Sequence, residues 1–164
     1  MQDWLQERAA KTPQKIALVT DTIQWTYQDL HRQADDYSRY FRADTRAGLL
    51  LPNTADTVAM IWGAIRAGAV LVPLNTRLTF EEIRWQLQNT GCRSLFVGET
   101  LLDRVPWDAP DKNLPFREFY LPRYEGFQRP QPVSLEQESA PRSGNAPFAI
   151  VHTSGTSGQP KGAV

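Results

Sequence analysis

The run Ala69–Leu74 (AVLVPL) is apolar at every position and lies between two segments with helical spacing. A strand that is apolar on both sides has to be covered on both sides, which is the situation inside a parallel sheet. Upstream, Val58, Ile61, Trp62 and Ile65 recur at helical spacing, with Gly68 where a C-terminal cap belongs. Downstream, Thr79 and Glu82 have the spacing of a capping box. They open a helix with Phe80, Ile83 and Leu87 on one side, which Gly91 ends. Leu49–Leu51, stopped by Pro52-Asn53, and Ser94–Val97 read as further short strands. Strand, helix, strand, helix, strand with short connections is a βαβ pattern. The expected fold is therefore α/β, a mainly parallel sheet with helices on both faces.

Around this centre the signals are local. Asp3 and Gln6 suggest a capped helix through Ala10 that Pro13 terminates. Lys15–Thr20 and Ile23–Thr26 read as strands about an Asp21-Thr22 turn. Thr26 is placed to cap a helix from Tyr27 to about Phe41, with Leu30, Ala34, Tyr37 and Phe41 as its apolar stripe. Residues 104–147 hold eight of the twelve prolines and read as a surface excursion of loops and extended chain, with one strand at Phe116–Leu121. Phe148–Val151 is again an apolar strand. Residues 1–164 thus read as a single α/β domain, carrying the Pro-rich excursion 104–147 and a Gly-rich loop at 153–162.

Composition removes several classes of function. Eighteen basic and eighteen acidic residues give no net charge, which argues against a nucleic-acid partner. Cys92 is the single cysteine, so no intrachain disulfide forms. The start, Met1-Gln2-Asp3-Trp4, lacks the basic and apolar regions of a signal peptide, and Val58–Leu74 is too interrupted to span a bilayer. A cytoplasmic location is expected.

The chemistry concentrates in Thr153-Ser154-Gly155-Thr156-Ser157-Gly158-Gln159-Pro160-Lys161-Gly162. Gly155, Gly158 and Gly162 allow close backbone approach to a ligand, and successive N–H groups can form an anion-binding nest. Thr153, Ser154, Thr156 and Ser157 add hydroxyl donors, and Lys161 adds a positive charge on a long stem. Spacing excludes a Walker A loop, because Pro160 stands where the second glycine belongs and Gly162 follows the lysine. No Gly-x-Gly pair supports a dinucleotide fingerprint. The competing reading is a flexible Ser/Gly linker. Against it, an apolar strand feeds the segment directly and Pro160-Lys161-Gly162 continues it.

Thr153–Gly162 resembles the signature of the adenylate-forming superfamily, which comprises acyl-CoA synthetases, peptide-synthetase adenylation domains and luciferase. Thr26-Tyr27, Leu51-Pro52-Asn53, Gly68-Ala69, Pro73-Leu74-Asn75 and Leu78-Thr79 with Glu82 are similar to family landmarks in the same order. The resemblance implies the first subdomain of the ligase N-terminal domain. It also implies ATP, Mg²⁺, CoA and a small carboxylic acid as the molecules handled. Thr153, Ser154, Gly155, Thr156, Ser157, Gly158 and Gly162 would hold the β- and γ-phosphates, and Lys161 would neutralise the leaving pyrophosphate. Trp4-Leu5, Arg8-Ala9, Thr12-Pro13, Asn75–Leu78 and Gln86-Leu87 resemble the o-succinylbenzoate–CoA ligase branch of menaquinone and phylloquinone biosynthesis. A generic acyl-CoA synthetase, an amino-acid adenylation domain and a stand-alone interaction module of the same fold remain as alternatives.

By the same resemblance, the adenine pocket, magnesium ligand, acyl pocket and catalytic lysine lie beyond Val164, so these residues alone are expected to be inactive. The remaining ligase chain is expected to pack on this domain. The loop is expected to lack its following strand and to be mobile. His152 stands where the family often has Tyr, and Ser157 where Thr is common. His152 reads as a strand-end residue packed beside the loop, with ligand contact as the alternative. Cys92 with His31 reads as packing rather than a nucleophile and base. Asp35-Asp36 and Glu81-Glu82 read as solvated faces, and the scattered histidines give no metal cluster.

Overall fold

The computed structural model describes residues 3–105, 118–120, 147–153 and 161–163. Along the chain come α1 (Trp4–Lys11), β1 (Ile16–Val19), β2 (Gln24–Thr26), α2 (Tyr27–Ser38), β3 (Arg46–Leu50), α3 (Ala55–Ala67) and β4 (Val70–Pro73). They continue with α4 (Phe80–Thr90), β5 (Ser94–Val97), a 3-10 turn (Glu99–Arg104), β6 (Glu118–Tyr120), β7 (Val151–Thr153) and β8 (Lys161–Ala163). The described residues fall into two compact units. One takes 3–44 and Asn53–Ala69, and the other takes Thr45–Pro52, 70–105, 118–120, 147–153 and 161–163.

In the first unit, β1 and β2 form an antiparallel hairpin, a sheet of their own. Asp3 caps α1 by accepting from the Gln6 amide at 2.9 Å. Thr26 and Asp29 form a reciprocal capping box on α2, with Asp29 where such boxes usually carry Glu or Gln. The expected stripe of α2 is buried as Leu30, Ala34 and Tyr37, with Phe41 just beyond the helix. Helix α3 departs from expectation. Its buried residues are Ala55, Ala59, Met60, Gly63 and Ala64, while Val58, Ile61, Trp62 and Ile65 are only half-buried. Small side chains win the interior here because α2 comes very close. A Cβ on Gly63 would sit 2.8 Å from the Ser38 amide nitrogen and 2.9 Å from the Ala34 carbonyl oxygen.

Arg66 on α3 gathers this unit's polar groups. Its Nε donates to Asp3 at 2.6 Å, and one terminal nitrogen donates to Asp35 at 2.7 Å and to the His31 carbonyl at 2.9 Å. The other terminal nitrogen meets His31 Nδ1 at 2.7 Å. Guanidinium only donates, so Nδ1 is the acceptor and the imidazole proton sits on Nε2. Burial raises the Asp3 pKa, but hydrogen bonds from Arg66 and Gln6 and the Arg66 charge outweigh it and hold the carboxyl below its ordinary value.

In the second unit, β4-β3-β5-β6 form a four-stranded sheet with every pair parallel. Ala47–Leu50 are buried in succession, so both faces of the central strand are covered. Leu50, Val72, Ile83, Leu87, Leu95 and Val97 share one core, in which α4 lies on the sheet. Strand β3 starts at Arg46, earlier than its apolar run suggests. The reason is Gly48, whose missing Cβ is where Leu87 Cδ2 of α4 packs. Gly68 and Gly91 end α3 and α4 in the left-handed region, at φ 75° and 62°, as their positions implied. The strand expected at Phe116–Leu121 is present as β6, where Glu118–Tyr120 pairs with β5 at the edge of the sheet. Residues 106–117 and 121–146 lie outside the described residues.

Candidate functional site

The strand leading to the Gly-rich segment docks on the sheet edge at β4. The Leu71 amide donates to the Phe148 carbonyl at 2.9 Å, and the Ile150 amide donates to the Leu71 carbonyl at 2.8 Å. The Leu71–Ala149 bridge is parallel, so the chain runs with β4 and leaves at the carboxyl ends of the parallel strands. That end of an open α/β sheet is where ligands bind. There β7 turns back on β8, with Val151 opposite Ala163, His152 opposite Gly162, and Thr153 opposite Lys161.

This geometry changes the reading of the segment's ends. Lys161 and Gly162 belong to a paired strand rather than to a loop, and a strand does follow the turn. The antiparallel ladder makes Thr153 and Lys161 the last paired residues, one on each side of residues 154–160. A hydroxyl residue and a lysine thus stand at the two ends of residues 154–160. Ser154, Gly155, Thr156, Ser157 and Gly158, and with them the expected mobility of the loop, lie outside the described residues.

His152 is half-buried, and its ring meets Trp85 of α4 edge-on, with centroids 6.1 Å apart and planes at 63°. Both ring nitrogens are buried and have no hydrogen-bond partner among the described residues. Burial lowers the pKa of the ring, so it is neutral at physiological pH. Sequence reasoning placed His152 beside the loop without naming Trp85 as the residue it packs on. Their pairing had no sequence signal, because they stand 67 positions apart in the chain.

Across residues 5–164 the chain matches the family model described as AMP-binding enzyme. The chain belongs to the AMP-binding enzymes. Among curated relatives, a 2-succinylbenzoate–CoA ligase of Bacillus cereus (strain AH820) is 28% identical over all of this chain and 32% of its own length. A dimodular nonribosomal peptide synthase of Bacillus subtilis (strain 168) is 27% identical over all of this chain and 7% of its own. This chain therefore spans about a third of the first and less than a tenth of the second. A solved o-succinylbenzoate coenzyme A synthetase from Bacillus subtilis, in complex with ATP and magnesium ion, shares the fold. Its TM-score is 0.73 at 23% identity, over 97% of this chain and 41% of that one.

Among the described residues no three His, Cys, Asp or Glu side chains come together as metal ligands. No described helix is long and apolar enough to cross a membrane. Cys92 is buried, with Thr90 Oγ1 3.2 Å from its sulfur, and burial pushes its thiol up to about 11. At neutral pH this leaves roughly 100-fold less thiolate than an ordinary thiol. In the native chain Cys92 is therefore expected to react with a maleimide at least about 100-fold more slowly than in urea, followed by mass spectrometry.

Proposed function

We propose that this chain is the N-terminal part of an ATP-dependent acid–CoA ligase. A carboxylate attacks the α-phosphorus of ATP, releasing pyrophosphate and leaving an acyl-adenylate. The CoA thiol then displaces AMP to give acyl-CoA. The supporting observation is the hairpin at the carboxyl end of the parallel sheet, which sets Thr153 and Lys161 on either side of the glycine–hydroxyl turn. In this reading Thr153, Ser154, Thr156, Ser157 and the glycines Gly155, Gly158 and Gly162 hold the β- and γ-phosphates. Lys161 offsets the charge that grows on the pyrophosphate leaving group, the main lever a protein has in transfer at phosphorus. Magnesium comes with the nucleotide, its protein ligand lying outside residues 1–164. The rest of the ligase packs on this domain, and the enzyme works in the cytoplasm.

For the acid, the match to a 2-succinylbenzoate–CoA ligase supports o-succinylbenzoate, and with it a role in menaquinone or phylloquinone formation. The match to a peptide synthase supports an amino acid as the second reading. ATP–pyrophosphate exchange by the full-length enzyme with a panel of aryl, alkyl and amino acids separates them. The 164 residues alone are expected to give no exchange, and turnover by them would overturn that expectation. Lys161→Ala and Thr156→Ala in the full-length enzyme are each expected to slow adenylation by about 100-fold, the scale of losing one preorganised charge-stabilising donor. Unchanged exchange in both would end the phosphate-grip reading.

A further inference from the structure

The hairpin of β7 and β8 forms a two-stranded sheet separate from the four-stranded one. The chain is docked on β4 as far as Ile150 and then enters the hairpin one residue later. A two-stranded ribbon is marginally stable by itself, so contacts from its sides help to fix it. One such contact is the edge-on meeting of His152 with Trp85 of α4. Across the ladder from His152 stands Gly162, which offers no side chain to brace the ring. Its nitrogens have no partner among the described residues, and the contact the geometry supplies is the edge of the ring against Trp85.

We propose that His152 is a positioning residue: braced on Trp85, it sets the direction in which β7 carries the chain into residues 154–160. This rests on reading those residues as the phosphate grip. A misdirected grip weakens ATP binding selectively, whereas general loss of folded enzyme lowers kcat and leaves both KM values alone.

The test uses the full-length enzyme with ATP, an accepted acid and pyrophosphate exchange. His152→Ala and Trp85→Ala are each expected to raise KM for ATP about tenfold, with KM for the acid within about twofold. His152→Phe, which keeps a ring and drops both nitrogens, is expected to restore KM for ATP to within about twofold of the parent. The double alanine variant is expected to be no worse than the poorer single one, because both remove one contact. If His152→Ala is insoluble, His152→Leu replaces it with the same expectation. An unchanged KM for ATP, additive losses, or a His152→Phe variant as poor as His152→Ala would each overturn the proposal. The last result would point instead to a ring nitrogen bound to ligand. If the parent exchanges with no acid, the functional reading itself fails. If the parent exchanges and Lys161→Ala slows it while His152→Ala leaves KM alone, only the brace fails.

Discussion

Replacing Gly63 with leucine is expected to destabilise the chain by roughly 4 kcal/mol, lowering its melting temperature on the order of 10 °C. The atoms a Cβ would strike are all backbone: the Ser38 nitrogen at 2.8 Å, the Ala34 oxygen at 2.9 Å and the Tyr37 carbonyl carbon at 2.9 Å. No side chain can rotate out of the way, so α2 and α3 must separate. Separation opens the packing around Ala34, Ala59 and Ala64, each fully buried. Alanine at 63 gives a graded control. Its overpacking cost of about 3 kcal/mol is offset by the roughly 1 kcal/mol that a helix gains on exchanging Gly for Ala, leaving a loss of about 2 kcal/mol. Urea unfolding followed by circular dichroism checks both. An alanine variant as stable as the parent would mean that the helices do not approach this closely.

Arg66→Met is expected to cost about 3 kcal/mol, measured in the same way. Methionine keeps most of the apolar stem, so the loss reports the guanidinium. The Arg66 side chain is 12% exposed and Asp3 20% exposed, and removing the cation leaves the Asp3 carboxylate, the His31 carbonyl and Nδ1 without that donor. Asp35 is 57% exposed and finds water instead, which keeps the loss below that of a fully buried pair. The pH dependence carries the same signature. The folded-state pKa of Asp3 lies below the ordinary 3.8 of a free aspartate side chain. Its contribution is complete above that value and is lost as pH falls through the lower folded-state pKa. Below about pH 4, stability should therefore fall more steeply in the parent than in Arg66→Met, and equal slopes would remove Asp3 from the account.

The elements that could be read in advance are those governed by near neighbours in the chain. Thr79 with Glu82 opens α4, and Gly68 and Gly91 close their helices at positive φ. The stripe Leu30, Ala34, Tyr37, Phe41 is buried as its spacing required. The Gly/Ser/Thr segment drew notice for the same local reason, closely spaced glycines and hydroxyls beside an apolar strand. Arg66 did leave a trace, a charge inside an apolar segment that needed partners, but those partners stand 31 to 63 positions away.

Periodicity failed on α3. It selects the bulkiest apolar residues, whereas the interior took alanines and Gly63, because the closeness of α2 and not hydrophobicity decides which side turns inward. The start of β3 was missed for the same reason, since Gly48 is chosen by Leu87 of a helix that comes 39 positions later. The pairing of Lys161–Ala163 with β7, the place of β6 beside β5 and the contact of His152 with Trp85 likewise join residues that share no local pattern.

By itself, then, the amino-acid order determined the α/β class, the capping positions of the helices and the segment where phosphate chemistry is expected, since each follows from forces acting within a few residues. Strand order, the inward side of α3 and the placement of Thr153 opposite Lys161 were decided only in the tertiary structure. They depend on how closely distant surfaces can pack, and no window along the chain contains both partners.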